Sequence, residues 1–219
     1  MLAKPAASQT DSDVTQQMWL DFDPSRWLTP RVELFGDVGV RWGIDDRSWW
    51  RLVVRPSVGV PVSRFRVTGG VGNFFNFNDI IEDRWEVRPF QGVSTVWPHM
   101  RVDFDHYLRL EERFDFNTET WNSLNSLRLR YRLRVRYQWS AAQLERHWAA
   151  TASGEVFVTL AGQEGQQQEE IRVTAGIERS FSRSRRLRME ITWQQESLYF
   201  RPGERINEFY LRIRLYRRW

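Results

Sequence analysis

The chain contains no cysteine. That absence excludes a disulfide frame and any cysteine-ligated metal site. Histidine is scarce, and His99, His106 and His147 are too scattered to suggest a zinc site. No metal and no cofactor is therefore expected. Lysine is nearly absent: Lys4 is the single one among 32 basic residues. No apolar run reaches the ~18 residues that mark a transmembrane helix. No apolar stretch follows Met1 to Pro5, so no signal peptide is visible and a mature exported chain is the expectation. No glycine-rich phosphate loop follows a strand and opens a helix. Gly69, Gly70 and Gly72 fall inside an alternating segment, where glycine signals close backbone approach or a bulge.

What fills the chain instead is arginine and aromatic side chains in strict alternation. From Leu127 to Tyr137 an arginine stands at every second position (Arg128, Arg130, Arg132, Arg134, Arg136), and Gln138 and Trp139 follow. The segment Phe209 to Trp219 repeats the pattern with Arg212 and Arg214. Period-2 alternation sends the two sets to opposite faces of a strand. One face is apolar, and the other carries a ladder of guanidinium groups. A soluble sandwich buries its apolar face. A membrane barrel shows that face to lipid and keeps the charges in a wet lumen. The mean hydropathy of -0.59 is compatible with the second arrangement, because only alternate strand residues meet lipid. The 12 Trp, 14 Phe and 6 Tyr fit it too, since Trp and Tyr favour membrane interfaces.

Residues 1–17 are small and polar and read as a flexible tail. Residues 18–30 read as a periplasmic or lumen-inserted segment, and 31–219 as the barrel. Ten strands are expected, at about 31–43, 48–61, 64–77, 83–96, 100–114, 122–139, 148–161, 170–181, 185–199 and 206–219. The strand containing Pro89 is less regular and suggests a bulge. A single turn of helix is expected over Ser140 to His147. Connections alternate short and long, as in outer-membrane barrels; the one at 140–147 is long where a short turn is due. With the C-terminus at the periplasmic end, ten strands return Arg31 to that same end. A strand at Met18 to Phe22 would make an eleventh and break the count, unless a further partner makes twelve. The expected fold is thus all-β: an antiparallel, up-and-down transmembrane barrel.

Several stretches, in order, resemble a bacterial outer-membrane family, domain-of-unknown-function family 2490. They are Met18-Trp19-Leu20, then Glu86 through Arg88 and Phe90 to Gln91, then His106 through Arg109, Glu111, Glu112 and Arg113 to Phe114. Arg128 to Tyr131, Gly154 to Phe157 and Ile171 to Phe181 follow. The resemblance spans residues 18–219 and implies a β-barrel in the bacterial outer membrane, with no established activity. The chain departs from the family pattern in its high arginine and tryptophan content.

The strand faces place roughly two arginines for each acidic residue on the charged side, by order-of-magnitude assignment. About ten strands leave a lumen narrow or filled. Glu86, Arg88, Arg109, Glu111, Arg113, Arg128, Arg130 and Glu155 are expected to pair across neighbouring strands, because an unpaired buried charge is costly. Arg132, Arg134, Arg136, Arg212 and Arg214 would be surplus, and a ring of arginines selects anions in a pore. The chain then reads as either a structural barrel or a narrow channel or binding site for small anionic solutes. Lipid or lipopolysaccharide is the expected partner, through charge-assisted bonds to phosphate. Trp42, Trp50, Trp97, Trp139, Trp148 and Trp219 lie near strand ends, where aromatic girdles belong.

Two other readings remain open at this point. A soluble lipocalin-like binding barrel would turn the greasy face inward and the arginines out. A lipid-modifying membrane enzyme would need a nucleophile beside a histidine. His106 follows Asp105, but it shares the phase of Phe104 and Leu108 and should face lipid. His147 has no nucleophile in its own motif. No catalytic residue is assigned. Nucleic acid is not expected as a partner, because the arginines are spread over every strand rather than gathered in one patch.

Overall fold

Apolar and charged residues alternate through eleven strands. The computed structural model describes residues 14–139, 146–162, 168–198 and 205–219. The strands are β1 (Val14–Thr29), β2 (Val32–Gly43), β3 (Trp49–Val62), β4 (Phe65–Asn78), β5 (Arg84–His99), β6 (Val102–Asn117), β7 (Ser123–Gln138), β8 (Trp148–Gly162), β9 (Gln168–Ser182), β10 (Arg185–Leu198) and β11 (Arg205–Arg218). Each pairs antiparallel with its sequence neighbours, and β1 closes the barrel against β11 in parallel. Closure leaves no strand edge open, which is how an all-β wall satisfies its backbone without a covering layer.

The eleventh strand corrects the expected domain layout. Met18 to Phe22 is neither periplasmic nor folded into the lumen; it is the middle of β1, in the barrel wall. The wall is therefore mixed rather than purely antiparallel. An odd count also puts the start of β1 and the end of β11 at opposite ends. Two-residue turns at 30–31, 63–64, 100–101 and 183–184 share one end with Trp219, whereas Val14 shares the other with the longer connections at 44–48, 79–83 and 118–122. The seam is well tied on its inner side. Arg212 pairs with Asp21 and Arg214 with Asp23, and Gln17 Nε2 donates to Glu208 Oε1 at 3.0 Å. The Trp219 amide donates to the Ser25 carbonyl at 3.0 Å. Residues 14–17 of the expected tail open β1 instead; its first 13 residues, and residues 140–145 of the helical turn expected over Ser140 to His147, lie outside the described residues, and 146–147 are not helical.

Pro89 interrupts pairing without a bulge. The β5–β6 ladder loses the pairs between Val87↔Phe114 and Phe90↔Glu111, yet its register is the same on both sides. Pro24 and Pro56 leave the same gap in the β1–β2 and β3–β4 ladders. Proline has no N–H to give the ladder. In register, Gly36 stands opposite Pro56, and Val71 opposite Pro89. Gly70 explains part of the glycine run: a Cβ there would lie 2.5 Å from the Pro56 carbonyl oxygen. This is the close backbone approach that the sequence suggested.

The inner face is charged and the outer face apolar. Leu34, Val38, Val58, Leu108, Ile171, Val173, Ile191 and Leu215 are exposed on the outside. Arg41, Arg109, Glu111, Arg128, Glu155, Glu178 and Arg188 are buried on the inside. This is the inverse of a lipocalin-like barrel. Two aromatic groups mark the ends of the belt. Trp42 and Trp50 are cross-strand partners near the longer connections, and Trp50 stacks on Phe77 at 4.1 Å. Trp97, Trp139, Trp148 and Trp219 are exposed near the opposite end.

Candidate functional site

At mid-height the lumen is filled by aromatic rings sandwiched between guanidiniums. Trp19 on β1 stacks on Tyr210 on β11, with centroids 3.9 Å apart and planes 8° from parallel. The Arg41 guanidinium lies 3.7 Å above the Trp19 ring. Arg88 lies 4.0 Å over Phe74, and Arg128, Arg172 and Arg130 lie 4.7, 4.9 and 5.1 Å from Phe157. Trp19, Phe74, Phe157 and Tyr210 are at most 4% exposed. These rings point inward, against the general rule of the wall, because in a filled lumen an arginine needs something besides other charges to pack on. Cation–π contact satisfies the face of a guanidinium while its edge is left for carboxylates.

The edges are used. Arg109 pairs with Glu111, and Arg128 donates from Nη2 to Glu111 at 2.6 Å. Arg128 continues to Glu170 at 3.4 Å, Glu170 to Arg172 at 2.5 Å, Arg172 to Glu155 at 3.6 Å, and Glu155 to Arg130 at 2.7 Å. One chain of charges thus crosses β6, β7, β8 and β9. Glu86 holds Arg88 and Arg113 beside it, at 2.5 and 2.6 Å. All eight residues expected to pair across neighbouring strands carry ion pairs, but Arg88 and Arg109 pair along their own strands, with Glu86 and Glu111. Glu170 and Arg172, which join the pieces, were not singled out from sequence. A second centre was missed as well: Glu178, fully buried, receives Arg136, Arg186 and Arg188. Both belong to strands whose alternation was legible; nothing local tells which carboxylate the shear brings opposite which arginine.

The five arginines expected as an anion track do not form one. Arg132 pairs with Asp105 at 3.1 Å, and Arg136 with Asp103 at 3.5 Å and Glu178 at 2.9 Å. Arg212 and Arg214 tie the β1–β11 seam. Only Arg134 makes neither an ion pair nor a hydrogen bond among the described residues. The expected surplus of arginine shrinks because carboxylates on β1 and β2 also face inward, among them Asp21, Glu33 and Asp37. Arg55, for example, holds Asp37 through two bonds at 2.8 and 2.9 Å.

The aromatic layer divides the lumen. A cavity of about 490 Å³ lies towards the longer connections, and one of about 500 Å³ lies towards the two-residue turns. Their linings share Arg172 alone. A third space of about 610 Å³ at the short-turn mouth adjoins the second, sharing Asp23, Phe35, Gly36 and Arg66. The two sides differ in charge. More arginines than carboxylates line the short-turn side, whereas Glu82, Glu86, Glu170, Glu196 and Glu208 help to balance the arginines of the other.

The two histidines weighed as catalytic groups meet different surroundings. His106 lies on the outer face, its Nδ1 2.8 Å from the Tyr131 hydroxyl and its ring 4.4 Å from that of Trp97. His147 Nε2 lies 3.2 Å from Ser180 Oγ, a pairing that sequence reading did not foresee. Arg136 Nη2 is 3.0 Å from the same nitrogen. A guanidinium can only donate, so it takes the lone pair that a general base would need. Among the described residues no cluster of histidine, aspartate and glutamate suits a metal ion.

A family model described as "Protein of unknown function (DUF2490)" matches residues 16–207. No curated protein and no solved structure matches the chain.

Proposed function

The chain belongs to the DUF2490 family of proteins of unknown function, and on that footing we propose that it is an outer-membrane barrel with a blind lumen. It binds small anions from the short-turn side and passes nothing through its length. The observation that carries this reading is the mid-height layer of Trp19, Tyr210, Phe74 and Phe157 with their stacked arginines. The outward apolar belt, bounded by tryptophans, supports a place in a bilayer, with membrane lipid as the partner of that belt. The charge difference between the two cavities supports anions as the solutes of the short-turn side. Under the usual outer-membrane orientation that side faces the periplasm. The occupied lone pair of His147 and the outward position of His106 favour binding over catalysis.

Single-channel recording in planar bilayers tests the closed lumen. The wild-type barrel is expected to be silent, and the double variant Trp19→Ala, Tyr210→Ala to conduct. A steady anion-selective current through the wild type would sink the reading. Heat-modifiable migration of the purified chain, and its recovery with outer-membrane fragments rather than in the soluble fraction, test the location.

A further inference from the structure

Hydrogen-bond register lines up one row of inward side chains across five strands. Arg134 stands opposite Ser153, Ser153 opposite Thr174, Thr174 opposite Thr192, and Thr192 opposite Tyr210. All five line the basic cavity below the aromatic layer. Neighbouring members are about 4.8 Å apart, the spacing of paired strands. The rows on either side differ. One carries Arg132, Glu155, Arg172 and Gln194, and the other Arg136, Thr151, Glu190 and Arg212. The hydroxyl row is thus an uncharged strip between charged ones, with a cation at one end.

That cation has no counter-ion among the described residues. Asp105 is the cross-strand neighbour of Arg134, yet its carboxylate turns to Arg132. The cations around Arg134 include Arg132, Arg188 and Arg214. Glu190, which also feels Arg134, is held by Arg188 at 3.4 Å. A guanidinium confined among other guanidiniums is costly unless an anion joins it. The hydroxyls retain bonding capacity. Thr174 and Thr192 share one bond at 2.9 Å, which leaves the pair a donor and several lone pairs. Tyr210 Oη donates to Gln194 at 3.2 Å and can still accept. A cavity of about 500 Å³ falls within the usual range of small-molecule sites, roughly 300–1,000 Å³.

We propose that this row is the binding face for a hydroxylated small anion of the sugar-phosphate class. The anionic group sits on Arg134, and the sugar hydroxyls lie along Ser153, Thr174 and Thr192. The proposal rests on the blind-lumen reading, which makes this cavity a destination rather than a passage.

Isothermal titration of the detergent-purified chain with glucose 6-phosphate, inorganic phosphate and glucose tests it. Glucose 6-phosphate is expected to bind at least tenfold more tightly than inorganic phosphate, with glucose giving no measurable heat. Arg134→Gln is expected to weaken both anions tenfold or more, and Arg134→Lys to restore part of the loss. Thr192→Val is expected to weaken glucose 6-phosphate several-fold and leave phosphate unchanged. Heat-modifiable migration reports whether each variant is folded; if Arg134→Gln is not, the Thr192→Val comparison decides. Equal affinity for the two anions, an unaffected Arg134→Gln, or no binding by the wild type overturns the proposal. A silent bilayer with no calorimetric binding removes this site and leaves the closed lumen standing, whereas a conducting wild type removes the blind lumen whatever the calorimetry gives.

Discussion

Glu111 and Glu112 are adjacent in the chain and meet opposite surroundings. Glu111 is fully buried between Arg109 and Arg128, and Glu112 is exposed on the outer wall. Removing one member of a buried ion pair strands the other, at a cost of about 3–5 kcal/mol. Glu111→Leu should therefore lower the urea midpoint of the barrel in lipid vesicles by an amount of that order. Glu112→Gln, which only removes a charge from the outer wall, should not lower it. Met100 offers the opposite sign. It sits at φ 54° in the β5–β6 turn and is 96% exposed, so its side chain packs on nothing. The left-handed region costs an L-residue roughly 1–2 kcal/mol, and glycine pays only part of that in entropy. Met100→Gly is expected to raise stability by about 0.5–1 kcal/mol in the same urea titration.

At the scale of elements, the prolines matter for where they fall in register. Pro24, Pro56 and Pro89 are far apart in sequence, but Gly36 and Val71 link them into one row across β1 to β5. Each breaks the seam on one side of its own strand. A ladder with missing bonds opens locally at lower free energy than an intact one. Amide hydrogen exchange should be faster at Gly72, Glu112 and Arg113 than at residues two or three positions away on the same strands. Uniform protection along β4 and β6 would contradict this. Gly36 sits in the same row and admits no side chain, since a Cβ would lie 2.5 Å from the Arg55 carbonyl oxygen. On the outside the gap forms a greasy dent of about 310 Å³, bordered by Pro24, Leu34, Val38, Val54, Pro56 and Trp219.

For the whole molecule, the odd strand number decides which ends meet which side. A peptide tag placed ahead of Val14 and one placed after Trp219 should fall on opposite faces of a reconstituted membrane. Protease added outside sealed vesicles should remove one tag and spare the other in any given insertion direction; loss of both together from uniformly oriented barrels would contradict eleven strands. Sequence reading stopped at ten for a physical reason. Trp19 points inward to stack on Tyr210, so Met18, Trp19 and Leu20 read as an apolar triplet rather than an alternation. The parallel partner of β1 lies at the far end of the chain, where no turn signal can announce it. The ten strands from β2 to β11 and their alternation of charged and apolar faces were legible, because period-2 alternation is a local property of the backbone. Which charges meet was not, since shear and closure set the register between strands and no short stretch encodes it. The amino-acid order alone determined strands with guanidiniums on one face and grease on the other; closure put the guanidiniums inside. Only the closed tertiary structure decided that aromatic rings with stacked arginines stand across the lumen, that four of the five surplus arginines pair with carboxylates, and that Arg134, unpaired among the described residues, lines a cavity with a row of hydroxyls. Those facts depend on contacts across the barrel's diameter, between residues that sequence distance keeps apart.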